Sequence, residues 1–368
     1  MYDQIREATL YIMLYAAVST LSLIASCYLL FRRANAIAPN VTPPARLRRW
    51  TATFFAFLTL CHLWYMPIFF LTSDEDIMMV DLVGGLIDCM TVFPTAIIVL
   101  LNMLQDYRRP LWPVALMMLP LIIGGAISIV TLSYDLLIFY IYFLLMCIGL
   151  IIYMVRSLKR YGRWLRDNYA DLEHKEVWQS FVVLAIILLV FVVYALVSKG
   201  PVYQYAMQVI CGVLTCYLLW RVETLSDLSI PQLQSLSADE TAAEDVEINT
   251  LSNTLCDNIT SLLQKNCIDT QLYLQHDLTL ILLAKAVGTN RYYLSQYFSL
   301  QGITYNTYIN DLRINHFMSL YSETFAAQQP VTAQQLASKS GYRSYSTFSL
   351  AFKQRTGMSV TAWIRSLS

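Results

Sequence analysis

Residues 82–105 read LVGGLIDCMTVFPTAIIVLLNMLQ, an apolar run whose only formal charge is Asp88. A helix needs about 20 such residues to cross the hydrocarbon core of a bilayer. Six further runs meet that length: 8–31, 50–72, 111–134, 136–155, 177–198 and 200–220, none with a formal charge. Buried helices of a large soluble protein would show charged faces every few residues, and these do not. Across the 368 residues 57% are hydrophobic and 14% charged, against roughly a quarter charged in an average soluble domain. That excludes a soluble globular protein, a disordered chain and a secreted disulfide scaffold. Asp3 and Glu7 flank Arg6, and no small-residue cleavage site follows the first run, so nothing reads as a cleavable signal peptide.

Lys and Arg in the short loops predict the orientation. One side holds Arg32, Arg33, Arg46, Arg48 and Arg49, then Arg108 and Arg109, then Arg156, Lys159, Arg160, Arg163, Arg166 and Lys175. The other holds Arg6 and Lys199, so thirteen basic residues face two in strict alternation. The expected topology is multi-pass, N-terminus outside, with seven spans delivering the polar C-terminal part to the cytoplasm. The eight cysteines show no CxxC or Cys/His metal spacing and are expected to be free thiols. No span contains the lysine a retinal pigment needs, and His62 is the only histidine in one, too few for a bis-histidine haem. Phosphate-loop, serine-nucleophile and HExxH motifs are also missing from the sequence. We expect no catalytic residues, no metal and no cofactor.

After the last span, residues 223–264 carry eight acids and no base, with Pro231 and the Ser/Ala/Thr-rich stretch 235–243 reading as linker. Ile248, Leu251, Leu255, Ile259 and Leu262 then recur at helical spacing. That stripe fits a helix packing on its own domain or a short dimer seam. Beyond Ile268 the sign reverses, with eight bases against four acids.

Here the sequence repeats itself. Ala284-x3-Gly288 recurs as Ala337-x3-Gly341, Leu294-x3-Phe298 as Phe348-x3-Phe352, and Gly302-Ile303-Thr304 as Gly357-Met358-Ser359, at offsets of 53 to 55. Each copy reads as helix, glycine turn, polar cap and second helix. Asn290 and Ser344 are the predicted caps, and Thr332-x-x-Gln335 is a predicted capping box. A small-residue turn that lets two helices cross closely is helix-turn-helix logic. Spacing alone also permits a repeat domain that binds no nucleic acid.

Residues 277–365 resemble the AraC/XylS-type DNA-binding domain of bacterial transcription regulators. The match runs through Leu278-Thr279-Leu280, residues 290–295, Tyr308-Ile309-Asn310 with Arg313, Gly341-Tyr342 with Ser344, and Phe352-Lys353 with Thr356-Gly357. The resemblance implies two helix-turn-helix copies joined by a long helix at about 305–320. Recognition helices would lie at 290–300 and 344–354, one turn of DNA apart. It places Tyr292, Ser295 and Gln296, then Tyr345, Ser346 and Thr347, toward the bases, counts the cap Ser344 among the DNA-binding residues, and leaves Arg291, Arg343 and Lys353 to suit phosphates. Gln296 and Leu350 stand where the family often has a basic residue, Val360 where a proline is usual, and Phe317 where a small residue is usual.

By the same resemblance the spans occupy the slot of a sensor. Asp88 is the expected ligand-site residue, with Asp81 on nearly the same face and His62 as a candidate partner. Pro67, Pro94, Pro113 and Pro120 are expected kinks. The expected fold is all-α: a seven-transmembrane helix bundle (residues 1–222), an acidic linker with an amphipathic helix (223–265), and a soluble domain of two helix-turn-helix copies (266–368). The expected function is a one-component transcription regulator of the bacterial inner membrane. Its partners would be double-stranded promoter DNA, the lipid bilayer, an unknown small-molecule or lipid signal, a second copy of the chain, and RNA polymerase. Two alternatives stand beside it: a membrane anchor released by proteolysis, and a transporter or membrane enzyme with a regulatory cytoplasmic module.

Overall fold

The computed structural model describes residues 2–39, 41–131, 137–197, 201–228, 253–327 and 331–367. Pro231, the 235–243 stretch, Ile248 and Leu251 lie outside them. The described residues are helical with no strand; their one β-bridge joins Tyr169 to Thr279. The chain divides into two compact units, Met1–Tyr161 with Val177–Leu228, and Gly162–Glu176 with Ser229–Ser368.

The N-terminal unit contains α1 (Tyr2–Phe31), α2 (Ala45–Tyr65), α3 (Asp74–Met90), α4 (Val92–Met103), α5 (Trp112–Thr131), most of α6 (Leu137–Asn168), α7 (Trp178–Val197) and α8 (Pro201–Thr224). Six segments are long and apolar enough to cross a membrane: Thr9–Phe31, Ala45–Phe69, Asp74–Met103, Trp112–Thr131, Ile141–Asn168 and Gln204–Thr224. Helix α7 is apolar from end to end. Large side chains on these helices point outward, with Ile24 and Leu145 each 61% and Val130 83% exposed. In water that surface would aggregate; in lipid tails it is at home. Polar side chains turn inward instead. Ser22 meets Thr215 at 3.3 Å, Ser26 donates to Ala52 O at 2.8 Å, and Arg32 pairs with Glu223 at 2.9 Å. The two hydroxyl bonds tie α1 to α2 and α8, where small side chains let helices approach closely, and the Arg32–Glu223 pair joins the residue after α1 to α8.

Residues 82–105 fall on two helices in the structure. Helix α3 starts at Asp74, eight residues before the apolar run, and ends at Met90. Pro94 has no N–H to give Met90, and its ring crowds that residue's carbonyl, so the ladder breaks at Thr91. Around the break the Thr91 N–H turns to Asp88 O at 3.3 Å, the Thr91 hydroxyl donates to Ile87 O at 2.7 Å and the Thr95 hydroxyl to Thr91 O at 2.6 Å. Pro67 lies in a 3-10 turn (Met66–Phe69) and Pro120 inside α5.

The C-terminal unit contains α9 (Asn253–Leu263), α10 (Leu280–Val287), α11 (Arg291–Leu300), α12 (Tyr305–Ala326), α13 (Ala333–Lys339), α14 (Tyr345–Thr356) and α15 (Val360–Leu367). Two hydrophobic cores form, one per sequence copy. Leu283, Leu294, Phe298 and Ile309 centre the first, and Ile314, Phe317, Phe348 and Phe352 the second. Ile259 and Leu263 of α9 are buried in the first core, so that face of the amphipathic stripe packs on its own domain. Helix α12 serves both cores, Ile309 on one side and Phe317 on the other. Phe317, larger than the residue usual there, fills the second core against Phe348 at 4.4 Å and Trp363 at 6.1 Å between ring centroids.

Candidate nucleic-acid interface

Each copy folds as its caps and glycines direct. In the first, α10 ends where Gly288 takes φ +77°, and the Thr289 N–H returns to Ala284 O at 2.9 Å. Asn290 then caps α11, accepting from the Tyr293 N–H at 2.9 Å. In the second, Thr332 and Gln335 close both halves of the capping box at the start of α13. Gly341 turns the chain at φ +88°, and Ser344 caps α14 by accepting from the Thr347 N–H at 3.3 Å.

Burial then decides which face each second helix presents. Leu294, Tyr297 and Phe298 of α11 point into the first core, leaving Tyr292 and Ser295 on the outside, with Gln296 half-buried beside them. Gln296 Nε2 donates to the Tyr292 hydroxyl at 2.6 Å, so the two side chains one turn apart form a single polar surface. On α14, Phe348 and Phe352 point inward while Tyr345, Ser346, Leu350 and Lys353 are exposed. Leu350 is 60% exposed in the middle of this polar face. Arg291 is half-buried at the first turn of α11. Arg343 is exposed and pairs with Asp277 at 2.6 Å. Ser344 and Thr347 both donate to the Glu173 carboxylate, at 2.5 and 2.9 Å. Burial pulls the nearby Lys175 ammonium below its ordinary range, opposed by Asp171, Asp277 and Glu173.

The two copies are locked together through Arg313 of α12. Its Nε donates to Tyr273 O and its Nη2 to Gln275 O, each at 2.7 Å, and its guanidinium lies 5.5 Å from the Tyr342 ring centre. Gly341 sits against this crossing, where an added Cβ would come within 2.8 Å of Leu274 O. The turn of the second copy therefore rests on the segment that leads into the first.

Two exposed polar helices, each held at the end of a glycine-turned pair on one connecting helix, define a DNA-binding domain. Residues 283–366 match the family model described as a helix-turn-helix domain, here of AraC type, which spans both copies but less than a quarter of the chain. The chain thus carries the DNA-binding domain of a transcription regulator. No curated protein and no solved structure matches it.

The N-terminal unit holds the other expected site residues, and it separates them. Asp88 Oδ2 accepts from the Tyr65 hydroxyl at 3.0 Å, with Cys61 Sγ at 4.0 Å. Gly84, one turn before Asp88, makes room for the Tyr65 ring, since a Cβ there would meet Cε1 at 2.5 Å. His62 does not partner Asp88. Its Nε2 meets Gln208 Oε1 at 3.0 Å, its Nδ1 lies 2.8 Å from Leu58 O, and Tyr15 donates to its backbone carbonyl. The physical reason is helical phase: Cys61 and Tyr65 share the α2 face toward α3, and His62, 100° further round, faces α8. Asp81 is exposed. Among the described residues no cluster of three or more metal-ligating side chains occurs.

Proposed function

We propose that the chain is a one-component transcription regulator embedded in the bacterial inner membrane, which receives a signal in its apolar bundle and reads promoter DNA with α11 and α14. The observation that carries this is the pairing of two exposed recognition helices with membrane-length apolar helices in one polypeptide. Helix α7 is taken as the seventh span, beside the six segments of sufficient length. The thirteen-to-two asymmetry of basic residues puts the DNA-binding domain in the cytoplasm. Residues 162–176 belong to the same compact unit as that domain, which supports placing this loop and the C-terminus on one side. Tyr292, Ser295, Gln296, Tyr345, Ser346 and Thr347 face bases in this reading, the cap Ser344 lies with them at the DNA, and Arg291, Arg343 and Lys353 face phosphates. The signal is a small molecule or lipid recognised near Asp88 and Tyr65, and two copies of the chain bind DNA together, in reach of RNA polymerase.

Two substitutions separate phosphate contact from base reading. Arg291→Ala is expected to weaken binding to every sequence alike and to flatten the slope of log affinity against log salt by about 1. Gln296→Ala is expected to leave that slope alone and relax preference at one or two base pairs, a change of about 1–3 kcal/mol at each. Selection of bound duplexes from a random pool, repeated at several salt concentrations, reads both. An unchanged consensus for Gln296→Ala would remove α11 from base recognition.

A further inference from the structure

We propose that the segment between α6 and α7 is a blocking arm of the DNA-binding domain, with Glu173 holding the start of α14 away from the DNA backbone until the arm is withdrawn. This rests on the DNA-binding reading above and adds a means of regulating it.

The arm is anchored before it blocks. Tyr169 forms the β-bridge with Thr279, just ahead of α10. Asn306 Nδ2 donates to Tyr169 O at 3.1 Å and to Ala170 O at 2.6 Å, and Asn310 Nδ2 adds a third bond to Ala170 O at 3.3 Å. Ala170 itself is buried in the first core. Both asparagines lie on α12, one turn apart, so they grip two consecutive carbonyls from one face. Three residues beyond this grip, the Glu173 carboxylate reaches α14 and accepts from Ser344 and Thr347, the cap and the third helical residue.

A helix N-terminus attracts negative charge through its free N–H groups and its dipole, whether the charge is a carboxylate or a DNA phosphate. Glu173 occupies the hydroxyls of Ser344 and Thr347, both counted above among the DNA-binding side chains, and a DNA phosphate brought up to the occupied helix start meets like charge. Arg343, the adjacent cation, is already engaged by Asp277 at 2.6 Å. The first copy differs: no described acidic side chain forms an ion pair with Arg291 at the start of α11. Asp167 lines a pocket with Ser295 and Ser299 of α11, whereas Glu173 is hydrogen-bonded to two side chains at the start of α14. Residues 169–177 run directly from the end of α6 to the start of α7, so a signal that shifts either helix can pull the arm.

The test uses the full chain in nanodiscs of zwitterionic lipid and fluorescent random-sequence duplexes of about four helical turns, long enough for both recognition helices. Glu173→Ala removes carboxylate and acceptor; Glu173→Gln keeps an acceptor and loses only the charge. If the masked state holds about nine-tenths of the population, both variants bind about tenfold tighter than the parent chain. The salt slope steepens by about 1 as one more phosphate is engaged. Glu323→Ala, which removes an exposed acid from α12, should stay within about twofold of the parent chain, because a screened distant charge contributes little. Affinity equal to that of the parent chain for both Glu173 variants, with unchanged thermal melting, overturns the arm. So does an equal gain from Glu323→Ala. If neither the parent chain nor any variant binds DNA in a salt-dependent way, the DNA-binding reading falls first and the arm falls with it.

Discussion

Replacing Gly341 with alanine is expected to cost the DNA-binding domain about 2–4 kcal/mol, the sum of a left-handed backbone penalty and a forced contact. The backbone there has φ +88°, and the new methyl would stand 2.8 Å from Leu274 O and 3.1 Å from Arg313 Nε. Neither neighbour can yield cheaply, because one is backbone and the other is held by two carbonyls. Gly288, the matching turn of the first copy, is the control. Its φ is +77°, but a Cβ would meet nothing within 4 Å. Gly288→Ala should therefore cost only the conformational part, about 1 kcal/mol. Hydrogen exchange across α13 and α14 in the full chain measures the difference. Equal losses at the two glycines would mean that the close approach to Leu274 is not what the turn depends on.

Arg313→Ala should be at least as damaging, at about 3–5 kcal/mol, since it strands the buried Tyr273 carbonyl, frees Gln275 O and leaves a void where a whole guanidinium lay. Arg313 is 1% exposed and donates to both Tyr273 O and Gln275 O. Arg313→Lys keeps the charge but cannot span two acceptors with one ammonium, and should recover roughly half of the loss. The functional consequence is more specific than unfolding. Each copy has its own core, so the two recognition helices can stay folded while losing their fixed separation. DNA affinity is then expected to fall further than helix protection does. If affinity survives in the alanine variant, the Arg313 crossing does not set the spacing of the two helices.

Local chemistry made much of this domain readable in advance. Asn290 and Ser344 cap the helices they were expected to cap, Thr332 and Gln335 close their box, and Gly288 and Gly341 turn the chain with positive φ. Each is decided within four residues, which is the range a sequence pattern can report. The break in the third apolar run belonged to the same class, with Pro94 as its cause. Contacts decided by tertiary phase were not readable. Asp88 meets Tyr65 rather than His62 because helix α2 is rotated about its axis to suit its neighbours, and nothing in the spacing states that rotation. The arm at 169–177 has no counterpart in the sequence pattern. It is gripped through the carbonyls of Tyr169 and Ala170, and backbone acceptors leave no mark on a sequence. Glu173 sits in a loop whose basic residues carry an orientation signal and no sign of a contact with α14.

The most direct measurement captures sheared genomic fragments on the intact chain in lipid nanodiscs and sequences what is retained as salt rises. The account predicts a small, reproducible set of promoter fragments held by the membrane-embedded protein and lost together at high salt. Retention of no fragment above background by the intact chain, or retention only by a soluble piece cut free of its apolar helices, would contradict it.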